Sequence, residues 1–347
     1  MPFVRVNVEA QILPTHTPEL FQLALRRAAE LLRAGELVAV PTETVYGLAA
    51  NAQEAKSVEK IFRVKGRPSH NPIIVHVASV DMARQCTAEW PAPARRLASA
   101  FWPGPLTLVL PKASLIPDLV TAGGPTVGVR WPSHPFIQAL IRDCGFPLAA
   151  PSANLATRVS PTTAEHVRRS LGRKIRLIVD GGPSQVGIES TVVDLSVSPP
   201  RLLRPGMIHV ESLIAALGEG GLRRAEGGRA GPGAQPRRSP GQLPKHYSPR
   251  AQLLVWSWQD DAELRSRIGE RKWAKGHCHV ITHTRIPSSE GLGRVRVLPH
   301  DAEAFARALY AELHRCDEEG ARFIIVEALP PAPEWQAIAD RLRRAAS

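Results

Sequence analysis

Lys65-Gly66-Arg67-Pro68-Ser69-His70-Asn71-Pro72 places two fixed cations, two prolines, a glycine and an amide donor in one short loop. A helix-like run precedes it, and the apolar strand Ile73–Val77 follows. A proline-stiffened cationic loop feeding a buried strand loses solvation unless something anionic docks on it. Arginine forks onto phosphate or carboxylate, whereas lysine acts as a mobile point charge. The loop therefore points to a phosphorylated or carboxylated small molecule, or to nucleic acid. A solvated basic loop is the plain alternative, and the proline rigidity argues against it.

Other polar clusters fall at strand or turn boundaries. Thr42-Glu43-Thr44, with Tyr46, follows a short apolar run. Arg130 ends the apolar stretch Thr126–Val129, where a charge needs a partner or water. Ala149–Asn154 and then Ser160-Pro161-Thr162 combine small residues and hydroxyls, which let a ligand approach the backbone. Gly187–Asp194 enters a strand, and Arg204-Pro205-Gly206 sets another arginine beside a proline turn. His76 lies inside a strand, where a lone histidine is usually a satisfied core residue. Taken singly, these are ordinary turn chemistry. Together they describe a cavity of Lys, Arg, Thr, Ser and Asn without an obvious nucleophile. Such a cavity suits positioning and charge neutralisation, the needs of phosphoryl or nucleotidyl transfer. Neither a Gly-x-x-x-x-Gly-Lys-Ser/Thr loop nor a kinase-type set is present.

The elements that must hold these residues alternate. Thr17-Pro18-Glu19 reads as an N-cap, a first-turn proline and a first-turn acid. Phe21, Ala24, Leu25, Ala28, Leu31 and Leu32 then recur at helical spacing until Gly35. Strands are expected at 37–40, 73–77, 106–110, 126–129, 177–180 and 191–195, with helices between several of them, such as 135–143 and 163–171. This is an α/β domain ending near residue 210. From Gly218 to about Pro240 the chain turns to Gly, Pro, Ala and Arg without periodicity and reads as a linker. A second unit follows, with strands expected at 252–256, 280–282, 295–298 and 323–327. Its helices are expected at 262–268, 302–316 and 334–344. The alternation implies a small parallel-sheet domain. No Gly-x-Gly-x-x-Gly follows its first strand, so a dinucleotide site is not supported. The division expected is 1–212, a linker 213–249, and 250–347.

Forty-four Lys and Arg against 32 Asp and Glu give the 347 residues a formal charge of +12. That excess favours polyanionic partners, although a generally basic proteome gives the same number. The four cysteines are scattered, with no Cys-x-x-Cys pair, so neither a zinc site nor a disulfide framework is implied. No signal-peptide pattern and no membrane-length apolar run is evident, so a cytoplasmic setting is expected.

The clusters, in their order, resemble the YrdC-like family in its long, two-domain threonylcarbamoyl-AMP synthase form. The matching pieces are PTETVYGL (Pro41–Leu48), KGRPSHNP (Lys65–Pro72), WPGPLTLVL (Trp102–Leu110), TVGVR (Thr126–Arg130) and APSAN (Ala150–Asn154). SPT (Ser160–Thr162), ESTVVDL (Glu189–Leu195), RPG (Arg204–Gly206) and SPGQLPKHYSP (Ser239–Pro249) complete the series. The resemblance implies an open twisted-sheet α/β domain with a basic cavity and a smaller Rossmann-like C-terminal domain. It implies a nucleotidyltransferase that joins L-threonine, bicarbonate or CO2, and ATP into threonylcarbamoyl-AMP and pyrophosphate. The product would serve the modification of a tRNA adenosine beside the anticodon, through a downstream transfer machinery.

Carried over by motif, threonine would be held by Thr44, His76, Arg130, Ala150 and Ser190. ATP would be held by Lys65, Arg67, Asn71, Thr126, Ser152, Ser160 and Arg204, with Tyr247 closing over it. Lys65 and Arg67 would cancel charge in the reaction. Mg2+ would arrive with ATP rather than in a protein-built metal site. Two features depart from the family pattern: Gln242, where an apolar residue is expected, and the arginine-rich insert Gly218–Pro236. The alternatives are an RNA-binding module without turnover and a carbamoyl-transfer enzyme of the hydrogenase-maturation type.

Overall fold

The first helix, Pro18–Arg33, starts where its sequence signals place it. The Thr17 hydroxyl accepts from the Leu20 amide at 3.3 Å, Pro18 occupies the first turn, and Gly35 turns the chain at φ 71°. The protein is described from a computed structural model, which covers residues 9–218, 221–224, 246–271, 273 and 275–347. Ser239–Lys245, Gln242 among them, and most of the insert Gly218–Pro236 lie outside the described residues.

The described chain forms an 11-stranded sheet and a 4-stranded sheet. The large sheet runs, edge to edge, Gln11–Pro14, Leu177–Asp180, Val38–Val40, Gly47–Asn51, Leu148–Ala149 and Ile74–His76. It continues through Thr126–Arg130, Leu106–Pro111, Thr191–Asp194, Arg201–Arg204 and Arg223–Arg224. Its middle matters most for function. Ile74–His76 runs parallel to Thr126–Arg130, with His76 directly opposite Arg130. On its other side it pairs antiparallel with Leu148–Ala149. Apolar layers cover both faces. Leu48, Val75, Leu97 and Val129 lie in one core, and Leu32, Val40, Phe136 and Val179 in the other. Removing each such side chain from water is worth about 1.5–3 kcal/mol.

The apolar strands expected from sequence are present, with ends moved by a residue or two. The strands Gln11–Pro14, Gly47–Asn51, Leu148–Ala149 and Arg201–Arg204 were not legible, because they are short, small-residue or polar. The expected boundary at residue 212 falls inside helix Val210–Leu217. Leu213 and Leu217 of that helix are buried in the first core, which keeps the chain tied to the first domain until Gly218.

The second sheet is parallel throughout, in the order Gln252–Trp256, Phe323–Glu327, Cys278–Thr282, Arg294–Val297. Its helices Ala302–Glu318 and Gln336–Ala345 contribute to a core that also contains Val45, Val159 and Ile188 of the first domain. Gly187 lies at this contact. Its φ is +82°, and a Cβ there would sit 2.5 Å from the Arg307 Cα. Among the described residues, no helix is long and apolar enough to cross a membrane.

Candidate active site

Parallel pairing of His76 with Arg130 brings two residues distant in sequence to one end of the sheet. The Ala150 amide donates to the Ile74 carbonyl at 3.1 Å, so the Ala150–Ser152 turn leaves the sheet beside the start of the strand that ends at His76. The loop after Val38–Val40 closes the near side through a chain of hydroxyls. Thr42 Oγ1 donates to the Val45 carbonyl at 2.6 Å. Thr42's only proton is thereby used, so in the 2.9 Å contact between the two hydroxyls Thr44 is the donor. Thr44 Oγ1 in turn accepts from Arg130 Nη1 at 2.8 Å. Tyr46 points elsewhere: its hydroxyl donates to the Gly182 carbonyl at 2.6 Å and serves the core.

The cavity so formed is narrow, with a volume of about 50 Å3. Of the residues expected to bind threonine, Thr44, His76, Arg130, Ala150 and Ser190 all line it. Of those expected to bind ATP, Arg67, Ser152, Arg204 and Tyr247 line it too.

Four expected residues are not part of this lining. Lys65 is buried, and its ammonium donates to the Ser152 and Asn154 carbonyls, tying the end of helix Ala55–Lys65 to the loop beneath the cavity. Asn71 is buried behind Arg67, which donates to the Asn71 and Pro72 carbonyls at 3.1 and 2.6 Å. Thr126 opens the strand that Arg130 closes, which separates the two by about 13 Å at ~3.3 Å per residue. Ser160 is fully buried and donates to Glu189 Oε1 at 2.6 Å.

Burial and charge set the character of the site. Burial, with Arg130 second, pushes His76 down to about 3, so the imidazole is neutral, and its Nδ1 lacks a hydrogen-bond partner. Arg130 is buried with Glu43, Nη2 to Oε1 at 2.6 Å, an ion pair by distance but not aligned as a hydrogen bond. Arg130 Nε also donates to the Gly104 carbonyl at 3.2 Å. A guanidinium has five N–H donors, so two remain beyond these contacts. Arg67 keeps some exposed surface, yet loss of solvation, with Arg204 nearby, pushes it down to about 10. Burial likewise lowers Arg204, whose Nη2 donates to Ser190 Oγ at 3.1 Å and whose Nε donates to the Ser190 carbonyl at 3.0 Å. Two guanidiniums depleted of solvent in one cavity form a field that a polyanion relieves.

Sequence reasoning passed over Glu43, Glu189 and His246, all part of or next to this wall. Glu43 and Glu189 stand inside motifs quoted above, but an acid in a basic cluster gives no sign of its partner. Tyr247 sits at φ 62°, a left-handed conformation that sequence does not mark for a tyrosine.

The comparisons with known proteins agree with this geometry. A family model described as "Telomere recombination" matches residues 30–206, and one described as "Threonylcarbamoyl-AMP synthase, C-terminal domain" matches 208–347. Threonylcarbamoyl-AMP synthase of Bacillus subtilis is 41% identical, covering 99% of this chain and 96% of its own length. That of Pyrococcus abyssi is 39% identical, covering 92% and 93%. The solved structure of P. abyssi Sua5 complexed with L-threonine superposes with a TM-score of 0.85 at 37% identity, covering 96% of each chain. By near-complete coverage of both domains, the chain belongs to the threonylcarbamoyl-AMP synthase family in its two-domain form.

Proposed function

We propose that the cavity joins L-threonine, a CO2-derived carboxyl group and ATP into threonylcarbamoyl-AMP with release of pyrophosphate. The observation that carries this reading is the meeting, in one cavity, of the Arg130 end of the sheet with Arg67 and Arg204. The threonine amine adds to CO2, loses a proton and becomes a carbamate. A carbamate oxygen then forms a bond to the α-phosphorus, and the bond to the pyrophosphate oxygen breaks. Nucleophile and target are both anionic, so the site must cancel repulsion rather than supply a nucleophile. Arg67 and Arg204 do that, and the two remaining donors of Arg130 receive the threonine carboxylate. Neutral His76 sits where it can accept from the threonine hydroxyl or amine. Lys65 and Asn71 act by holding the loops that carry Ser152 and Arg67. Thr126 and Ser160 are assigned to ATP on motif alone.

Among the described residues no group of three or more His, Cys, Asp or Glu could hold a metal ion. Glu43 and Glu189, the carboxylates nearest the cavity, are committed to Arg130 and Arg341. This donor set does not fit a protein-held metal, so Mg2+ enters on the phosphate oxygens of its ATP complex. The first domain holds the substrates, the connecting segment brings Tyr247 to the nucleotide, and the product serves threonylcarbamoyl transfer to tRNA in the cytoplasm. Incubation with ATP, bicarbonate and labelled threonine tests the reading. Pyrophosphate and a labelled acyl-adenylate should form only with threonine present. Release indifferent to threonine, or RNA binding without turnover, would remove it.

A further inference from the structure

Glu189 is an anion in the wall of a cavity that must accept a polyanion, and its partners come from the other domain. Its Oε2 accepts from Arg341 Nε at 2.9 Å and from the Tyr310 hydroxyl at 3.0 Å. Its backbone carbonyl accepts from Arg341 Nη2 at 3.2 Å. The Arg341 side chain has no exposed surface. Tyr310 lies one helical turn before His314, whose ring donates through Nε2 to the Ser160 carbonyl at 3.1 Å. One face of helix Ala302–Glu318 thus holds both Glu189 and its donor Ser160. A buried arginine reaching across a domain contact to a cavity carboxylate is costly to desolvate and therefore needs a reason.

We propose that Arg341 is a positioning residue for ATP: it neutralises and fixes Glu189, so that the C-terminal domain completes the nucleotide side of the cavity. The inference rests on the synthase reading given above. Without Arg341 the Glu189 carboxylate would face the phosphates with its main cationic partner gone. ATP carries several negative charges and the threonine zwitterion carries none net, so the loss falls on ATP. The charged and titratable groups around Glu189 are Arg204, Arg341, Tyr247, Tyr310 and His246, with Asp340 behind Arg341. Burial raises the Glu189 carboxyl while Arg341, then Arg204, lowers it, and the lowering prevails. Removing Arg341 takes away the largest lowering influence, so Glu189 takes up a proton more readily.

The test measures threonine-dependent pyrophosphate release by the full-length chain, with a thermal unfolding curve for each variant. Arg341→Met should raise the KM for ATP by about tenfold or more, with the KM for threonine changed less than about threefold. Relative to wild type, its KM for ATP should improve as pH falls, because protonation removes the offending charge. Glu189→Gln/Arg341→Met should recover part of the loss and lose that pH dependence. Arg341→Lys should lie between wild type and Arg341→Met. If Arg341→Met does not fold, Arg341→Lys and Tyr310→Phe carry the test through the same split between substrates. A folded variant with the KM for ATP within about twofold of wild type, equal rises for both substrates, or no difference in pH profile from wild type overturns the proposal. A wild-type chain that makes no threonine-dependent pyrophosphate overturns instead the synthase reading on which it rests.

Discussion

Arg130 shows how one side chain can belong both to stability and to substrate. Its guanidinium is buried against Glu43 and hydrogen-bonded to Thr44, and it lines the cavity. Arg130→Ala leaves the Glu43 carboxylate uncompensated, a loss on the order of 3–5 kcal/mol for a broken buried pair. The variant should therefore melt earlier and use threonine poorly. Adding Glu43→Gln should restore much of the melting temperature without restoring the KM for threonine. Recovery of both by the double variant would show that Arg130 only supports the fold. The Arg130 motif was legible because a charge ending an apolar strand is out of place. Its partner was not, because Glu43 and Arg130 meet only through sheet register.

At the scale of elements, register does the assembly. Pairing of Ile74–His76 with Thr126–Arg130 sets His76 opposite Arg130, and a slip of one residue would turn His76 to the other face, away from Arg130. The long apolar strands and capped helices were readable from period and N-cap chemistry. The two-residue strand Leu148–Ala149 was not, since two residues carry no period. Gly187 is a second element-scale device. It approaches the backbone of helix Ala302–Glu318 at a positive φ that only glycine adopts freely. Gly187→Ala should strain the turn by about 1–2 kcal/mol and push the helix from Glu189. Limited proteolysis should then cut between the domains sooner, and the KM for ATP should rise. Wild-type proteolysis together with wild-type kinetics would show that the contact yields without consequence.

At the scale of the molecule, the two domains share one apolar core and one buried ionic cluster. Ending the chain after Gly218 keeps Leu213 and Leu217 in the first core, but removes Tyr247, Tyr310 and Arg341. Such a chain should fold, bind dyes that report exposed apolar surface around Val45, Val159 and Ile188, and turn over poorly. Full turnover would make the C-terminal domain a passenger. Acid sensitivity is also a property of the whole. His76 and His246 are each pushed down to about 3, mainly by burial, helped by Arg130 at the first and by Arg67, Lys65 and Arg204 at the second, against the opposing pull of Glu43 and Glu189. Unfolded histidine titrates near ~6.5, so the unfolded chain binds protons first as pH falls. The stability tied to these neutral histidines is complete above that value and declines toward the folded values, by up to ~1.4 kcal/mol per pH unit for each. The depressed carboxyls of Glu43 and Glu189 act lower: their contribution is present above the unfolded pKa near ~4.3 and is lost through their lower folded values. Urea unfolding at pH 5.5 should give a stability on the order of 2 kcal/mol below that at pH 7.5. A flat profile would mean that these rings take up protons in the folded state.

The sequence by itself determined the alternation of elements, the family and most of the residue types around the substrates. Those depend on local period, turn chemistry and short motifs, which one stretch of chain carries alone. Tertiary structure decided which acid meets which base. Glu43 finds Arg130 across strands, and Glu189 finds Arg341 across domains, 152 residues apart. A buried charge is defined by its partner in space, and no local pattern encodes a partner that arrives from another domain.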